Sequence, residues 1–368
     1  MDIATRVVAP DEDIYIMQPG RGYWLYELYD KYDHVFLDFP GLDLEFSAAP
    51  PQDLALRQMI VRSLAISGWI NNGRKDAEPS RELKDYVGQD RRLRLGRYVG
   101  AAKRLYYELK PGTIIVVAGK NPYDDVLIGE IVGKPTMLRK KKLYGGEPVP
   151  ARKVKWLRRK KRALFSSEVR DRFGTPNPLM QLERTSRKEI LKAGFDQYAY
   201  EGEYAARLNT ATDDFSTLDD YDIQSFVNYV TGALIAFEQG REEKLSMADA
   251  IGILRAEPHL ALSLAQNINS KGFQRLVDGT VRPLAVALLL TVALEGSAGA
   301  DPPRIDVRNS ATAGGDPCRI EVQARVEGAL RLMMLDEWRR VCENARGAQR
   351  STGLSTTMRV ERHGRTKR

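Results

Sequence analysis

Residues 113–133, TIIVVAGKNPYDDVLIGEIVG, constrain the fold more than any other part of the chain. Two runs dense in Val and Ile flank the turn-forming residues Asn121, Pro122, Tyr123 and Asp124, and the β-branched density of the first argues for a buried strand. A buried sheet needs cover. Residues 52–66 supply it with Leu54, Leu56, Met59, Ile60, Ser63 and Leu64 at helical spacing, and residues 95–109 do the same with Val99, Ala102, Leu105 and Tyr106. Shorter strands are expected at 13–17 (DIYIM), which stops at the turn QPGRG, at 34–39, and at 152–157 (RKVKWL), where basic and apolar residues alternate.

The pattern changes near Ser186. From there to Glu295 the signals are almost entirely helical: Thr217 can cap a helix with Asp220, Ile223 to Phe237 share a face, and Gly240 is a stop. Ser246 and Asp249 form a second capping pair. Residues 284–294 are apolar throughout but short of the roughly 17–25 residues that cross a bilayer, so a core helix is expected and no membrane partner. The stretches RIDVRN (304–309) and RIEVQARV (319–326) flank a Gly/Pro loop like a hairpin. A last amphipathic helix is expected over 327–345, followed by a frayed basic tail. With 368 residues the chain has room for two or three domains. The expected fold class is α+β, divided into 1–190 and a mainly helical 191–368 with a short β-hairpin.

Charge is unevenly placed. Residues 139–162 hold Arg139, Lys140, Lys141, Lys142, Arg152, Lys153, Lys155, Arg158, Arg159, Lys160, Lys161 and Arg162 against one acid, Glu147. That segment carries +11 in a chain of net +8, so the remainder is slightly acidic. Such a run suits a solvated loop or an acidic-lipid surface, but the interspersed Val154, Trp156 and Phe165 favour a nucleic acid, whose phosphates release counterions when neutralised. Two cysteines and three histidines show no metal-ligand spacing and no disulfide framework, and Cys342 lies on an apolar helix stripe. The acidic N-terminal stretch lacks the apolar core of an export signal, so a cytoplasmic location is expected. No phosphate-binding loop or nucleophile elbow occurs.

The ordered set DIYIMQPGRG, HVFLDFPGLD, KPGTIIVVAG, VLIGEIVGKP and ARKVKWL resembles the PUA-like, EVE-like modules at the front of Mrr-type restriction and anti-phage defence proteins. The likeness covers about residues 10–185 and extends to FSSEVR and Phe173-Gly174. It implies a pseudo-barrel whose open end accepts a base, often a modified one, swung out of a duplex, with aromatic faces to stack on it and cations at the rim. Tyr23, Trp24, Phe39 and Trp69 are then candidate pocket walls with Arg21 at the mouth, although each aromatic also reads as an ordinary core residue. The chain departs from the pattern at residues 36–40, FLDFP, where small residues are usual.

The resemblance also implies a nuclease behind the reader, in which two carboxylates hold magnesium beside a lysine. Asp306 and Glu321 have the right order, but Gln323 stands in the lysine's place, and Arg325 remains protonated. An ordinary hairpin with exposed acids reads the same way. The expectation is a DNA-binding sensor or adaptor of a defence system, without a cofactor, working with helicase or nuclease subunits and able to form a homo-oligomer. The alternatives are a magnesium-dependent endonuclease using Asp306, Glu321 and Gln323, or an RNA-binding protein.

Overall fold

The Val/Ile-rich runs form adjacent central strands of a curled half-barrel sheet, in a computed structural model that describes residues 1–47, 49–89, 93–267, 271–295, 306–311 and 317–359. The chain is α+β and divides into two units, Asp11–Phe195 and Met1–Pro10 together with the chain from Asp196 onward. The first strand, β1 (Arg6–Val8), therefore belongs to the second unit, and the division falls a few residues beyond position 190.

In the first unit, β2 (Ile14–Met17) lies parallel to β4 (Ile114–Ala118), which pairs antiparallel with β5 (Asp125–Ile131). The long strand β7 (Val149–Lys161) follows β5 and carries β3 (His34–Val35) and β6 (Thr136–Leu138), while β8 (Leu179–Gln181) edges β2. All five residues of β4 are buried, as its lack of alternation requires. A register shift between Ile128 and Gly129 puts Gly129 under β7, where a Cβ would lie 2.6 Å from Val154 and 2.7 Å from Trp156. Its α-helices among the described residues are α1 (Tyr26–Tyr32), α2 (Asp53–Asn71), α3 (Gly96–Lys103), α4 (Ser167–Phe173) and α5 (Arg184–Gly194). α3 continues into one wide turn at Arg104–Glu108. Leu56 and Ile60 of α2, with Val99 and Ala102 of α3, pack into the same core as Ile115, Val117 and Leu127 of the sheet. Past Val35 the expected strand at 34–39 leaves the ladder.

The second unit corrects the nearly all-helical expectation, because it holds a five-stranded sheet. β9 (Tyr198–Tyr200) and β10 (Glu203–Asn209) form a hairpin through Glu201 and Gly202, both at positive φ, as a tight two-residue turn demands. β11 (Ser263–Asn267) and β12 (Phe273–Asp278) extend it, and β1 runs parallel to β9. One core joins this sheet to α6 (Thr217–Glu238), α7 (Met247–Ala256), α8 (Arg282–Leu294), α9 (Pro317–Leu332) and α10 (Leu335–Thr352), with α8 lying directly on β10 and β12 and the others packed around α6 and α8. The capping pair of α7 is Ser246 with Asp249, as read, but that of α6 is Ser216 with Asp219, one residue before Thr217. α8 is the apolar run, and among the described residues no helix is long and apolar enough to cross a membrane.

Three further expectations are overturned here. The stretch 319–326 is helix: Cys318, Val322, Val326 and Ala329 are buried at helical spacing, which outcompetes the weaker alternation of Ile320, Val322 and Ala324. The single helix at 327–345 breaks at Met333–Met334, where Leu245 pairs with Met333 and Tyr229 Oη accepts the Met334 N–H. The tail is docked as far as Arg359 through buried Leu354 and Met358 and a backbone bridge from Ser355 to Asn209. Residues 304, 305, 312–316 and 360–368 of those predicted elements lie outside the described residues.

Candidate functional site

At the C-terminal end of β2 the turn QPGRG runs through Gly20 and Gly22 at φ +71° and +74°, and Tyr23 follows at +67°. A Cβ on Gly20 would sit 3.0 Å from Trp24 Nε1 and 3.1 Å from Leu25, so glycine is required there twice over. This turn leaves Arg21 exposed on the rim of a cavity of about 710 Å³. Leu37, Asp38 and Phe39 form one wall, Leu64 and Ser67 of α2 with Arg97 and Tyr98 of α3 another, and Pro176 and Pro178 close the side near β8.

The wall at 36–39 is held by aromatic hydroxyls in place of a neighbouring strand. Tyr29 Oη donates to the Phe36 carbonyl, while Tyr106 Oη accepts the Leu37 N–H at 3.0 Å and donates to the Pro150 carbonyl at 2.8 Å. Asp38 is held by both oxygens: Trp24 Nε1 donates to Oδ2 at 2.9 Å and Tyr144 Oη to Oδ1 at 2.5 Å. The Trp24 and Tyr144 rings meet edge-on at 5.5 Å. Burial, and after it the Asp38 charge, pushes the Tyr144 phenol far above its ordinary range, so it remains a donor at any physiological pH. On the other side, Phe39 meets Tyr98 edge-on at 5.5 Å. The Arg97 guanidinium lies 4.9 Å from the Tyr98 ring centre and donates at 3.0 Å to the Pro176 carbonyl. The arrangement offers an oriented carboxylate, aromatic and proline faces, and two rim guanidiniums.

Of the five pocket residues expected from sequence, Arg21 and Phe39 line this cavity, and Trp24 stands behind Asp38. Tyr23 instead turns its hydroxyl to the Phe173 carbonyl at 3.2 Å. Trp69 is not among the lining residues: its indole donates to the Asp76 carbonyl and its face carries Arg74 at 5.0 Å. Asp38, Arg97, Tyr98 and Tyr144 were missed. For Asp38 a signal existed, since it sits in the FLDFP departure.

The basic segment separates into groups. Arg139, Lys140, Lys141 and Lys142 are exposed between β6 and the buried pair Leu143 and Tyr144. Because Tyr144 reaches Asp38, this cationic loop is tied to the cavity wall. Lys153 and Lys155 project as exposed residues of β7. Among the described residues no ion pair or hydrogen bond engages the side chains of Lys140, Lys141, Lys142, Lys153 or Lys155. Arg159 pairs with Asp30 at 2.6 Å and Lys161 with Asp125 at 2.8 Å, so each already has an anionic partner. Arg158 is half-buried and Lys160 lies 4.8 Å from the Phe165 ring centre. Arg162 donates to the Gly119 and Lys120 carbonyls and is a loop clamp. Arg152 is a correction: it is 2% exposed and donates to the carbonyls of Leu105, Leu109 and Gly133, so it cannot contact a nucleic acid. The segment's acid is taken by Arg81, which pairs with Glu147 at 2.8 Å and, with Arg139 and Arg74 nearby, holds its carboxyl below the ordinary range.

The nuclease triplet is not assembled. Glu321 lies on α9 and accepts from Arg325, which also pairs with Glu238 at 2.7 Å. Asp306 and Gln323 share the lining of a smaller cavity, about 290 Å³, with Glu327 in place of Glu321. The Gln323 amide is used structurally, donating to Glu327 at 3.1 Å. Among the described residues no three His, Cys, Asp or Glu side chains converge as metal ligands, and this donor set does not fit magnesium. Cys318 and Cys342 are buried, and burial pushes the Cys342 thiol up to about 12. Comparison with family models, with curated proteins and with solved structures finds no match for this chain.

Proposed function

We propose that the first unit binds nucleic acid by taking one unstacked base into the cavity beside Asp38 and holding the flanking phosphates with Arg21, Arg97 and the loop at 139–142. The observation that carries the reading is the connection through Tyr144: a four-cation loop with no acidic partner for its lysines is anchored on the carboxylate of Asp38, a residue that lines the cavity. Aromatic and proline faces beside a polar edge suit a base, and clustered unpaired cations suit its backbone. The resemblance to PUA-like readers points the same way, and within it the chain acts as the recognition component of a defence system in which another subunit cuts.

The test is binding of fluorescent oligonucleotides to the full chain across a salt series. Duplex DNA, single strands and structured RNA are compared, because the rim chemistry accepts any phosphate backbone. The quadruple charge reversal R139E/K140E/K141E/K142E should weaken binding at least tenfold and flatten its salt dependence. Equal affinity in that variant would remove the reading.

A further inference from the structure

The anchoring of Asp38 leaves it a particular valence. An ionised carboxylate has about four acceptor positions, two on each oxygen. Tyr144 uses one on Oδ1 and Trp24 one on Oδ2. One position remains on each oxygen of a residue that lines the cavity. A planar ligand that fills both through one edge presents two adjacent N–H donors. Among the standard bases guanine alone does so, through N1–H and the N2 amino group. Adenine and cytosine place a ring-nitrogen acceptor beside their amino donor, where it would meet the carboxylate's charge. Uracil and thymine flank their single N–H with two carbonyls.

The remaining lining fits the rest of that base. Guanine's far edge carries two acceptors, O6 and N7. The cavity offers the Ser67 hydroxyl and the Gln18 carboxamide, which among the described residues has no side-chain hydrogen-bond partner. Tyr98 and the two prolines border the space beside Asp38 where the ring would lie. We infer that this cavity is a guanine-specific subsite in which Asp38 reads the N1–H and N2–H edge. The inference deepens the nucleic-acid reading and rests on it for the source of the base, though the cavity chemistry is shared with a free guanine nucleotide.

The experiment varies the ligand first. The full-length wild-type protein is titrated with GMP, IMP, AMP, CMP and UMP, and with an oligothymidine carrying one central guanine or hypoxanthine. Hypoxanthine lacks only the N2 amino group, so a fit to Asp38 predicts at least a tenfold loss from guanine to hypoxanthine in either probe, and a similar loss for the other bases. Asp38→Asn should abolish that gap. Tyr144→Phe, which leaves Asp38 its charge, should keep it. Equal binding of guanine and hypoxanthine by the wild type overturns the inference, whatever the variants do. Salt-dependent oligonucleotide binding without a guanine preference overturns it and leaves the nucleic-acid reading standing. Tight GMP binding with no binding of any oligonucleotide does the reverse, and failure of every probe removes both.

Discussion

Arg152 and the three lysines Lys140, Lys141 and Lys142 occupy one basic segment but should respond to substitution in opposite ways. Arg152 donates at 3.1 Å to Leu105, at 2.9 Å to Leu109 and at 3.1 Å to Gly133, satisfying carbonyls within and just beyond the wide turn after α3 and in the loop after β5. Arg152→Met keeps the apolar stem and deletes the guanidinium. Each buried carbonyl left without a donor costs about 1–3 kcal/mol. Against that stands relief from burying a charge, visible as a guanidinium pKa pushed below its ordinary value by desolvation. A net loss of about 3 kcal/mol follows, read as a lower denaturation midpoint of the first unit. In the fraction that remains folded, oligonucleotide affinity should change less than about twofold, since the side chain is buried and touches no ligand. Lys140→Gln, Lys141→Gln and Lys142→Gln combined should move stability by no more than about 0.5 kcal/mol. The slope of log affinity against log salt should fall by about 0.7–0.9 for each phosphate contact removed. A stable Arg152→Met protein with a reduced salt slope, or a triple lysine variant with an unchanged one, would refute the division of the segment into clamp and contact.

Other consequences follow from single close approaches. Gly20→Ala must carry a Cβ at φ +71° and 3.0 Å from Trp24 Nε1; it should cost about 1–3 kcal/mol and weaken base binding by displacing the indole from Asp38, as thermal melts and oligonucleotide titrations would show. Gly232→Ala drives a Cβ to 2.6 Å from the Ala250 Cβ and 2.8 Å from its carbonyl oxygen, so α6 and α7 must separate, and a loss of about 1–3 kcal/mol is expected in chemical denaturation. Arg81 holds the Glu147 carboxyl below its ordinary pKa, so the pair's stabilisation is complete above the unfolded-state value, near 4.3, and disappears as pH falls through the folded value. With Arg81 partly exposed, the gap between wild type and Glu147→Gln should be about 1 kcal/mol at pH 7 and should shrink as the pH falls below the unfolded-state value.

Local signals carried most of what sequence reading could see. The density of Val and Ile marked β4 and β5, and the Ser246–Asp249 spacing marked the start of α7. The sheet of the second unit was hidden because β9 and β10 are written in Tyr and Ala, whose alternation is weak, and because β1 comes from the far end of the chain. The basic segment was legible as a charge count and illegible as a set of roles. Nothing in RKVKWL distinguishes buried Arg152 from exposed Lys153, since the carbonyls that bury the first lie 19, 43 and 47 residues away. Glu321 and Gln323 read as strand residues because apolar Ile320, Val322, Ala324 and Val326 alternate with polar residues over about two helical turns, which imitates a strand.

The FLDFP stretch explains why a departure from a resembled pattern can hold the site. A small-residue strand at 36–40 would satisfy its backbone through a sheet ladder and present little to a cavity. Here the chain leaves β7 after Val35, and its unladdered backbone groups need other partners, because an orphaned buried N–H or C=O is costly. Tyr29 serves the Phe36 carbonyl, Tyr106 the Leu37 amide, and Trp24 and Tyr144 the Asp38 carboxylate. These four aromatics come from α1, the wide turn after α3, the loop after β2 and the cationic loop after β6, so the wall is fixed from four directions. Free of the ladder, the segment can bring both Asp38 and its neighbour Phe39 to the cavity, which strand alternation would forbid for adjacent residues. Departure from the ladder thus places a carboxylate at the cavity, and the aromatic hydroxyls hold the segment there.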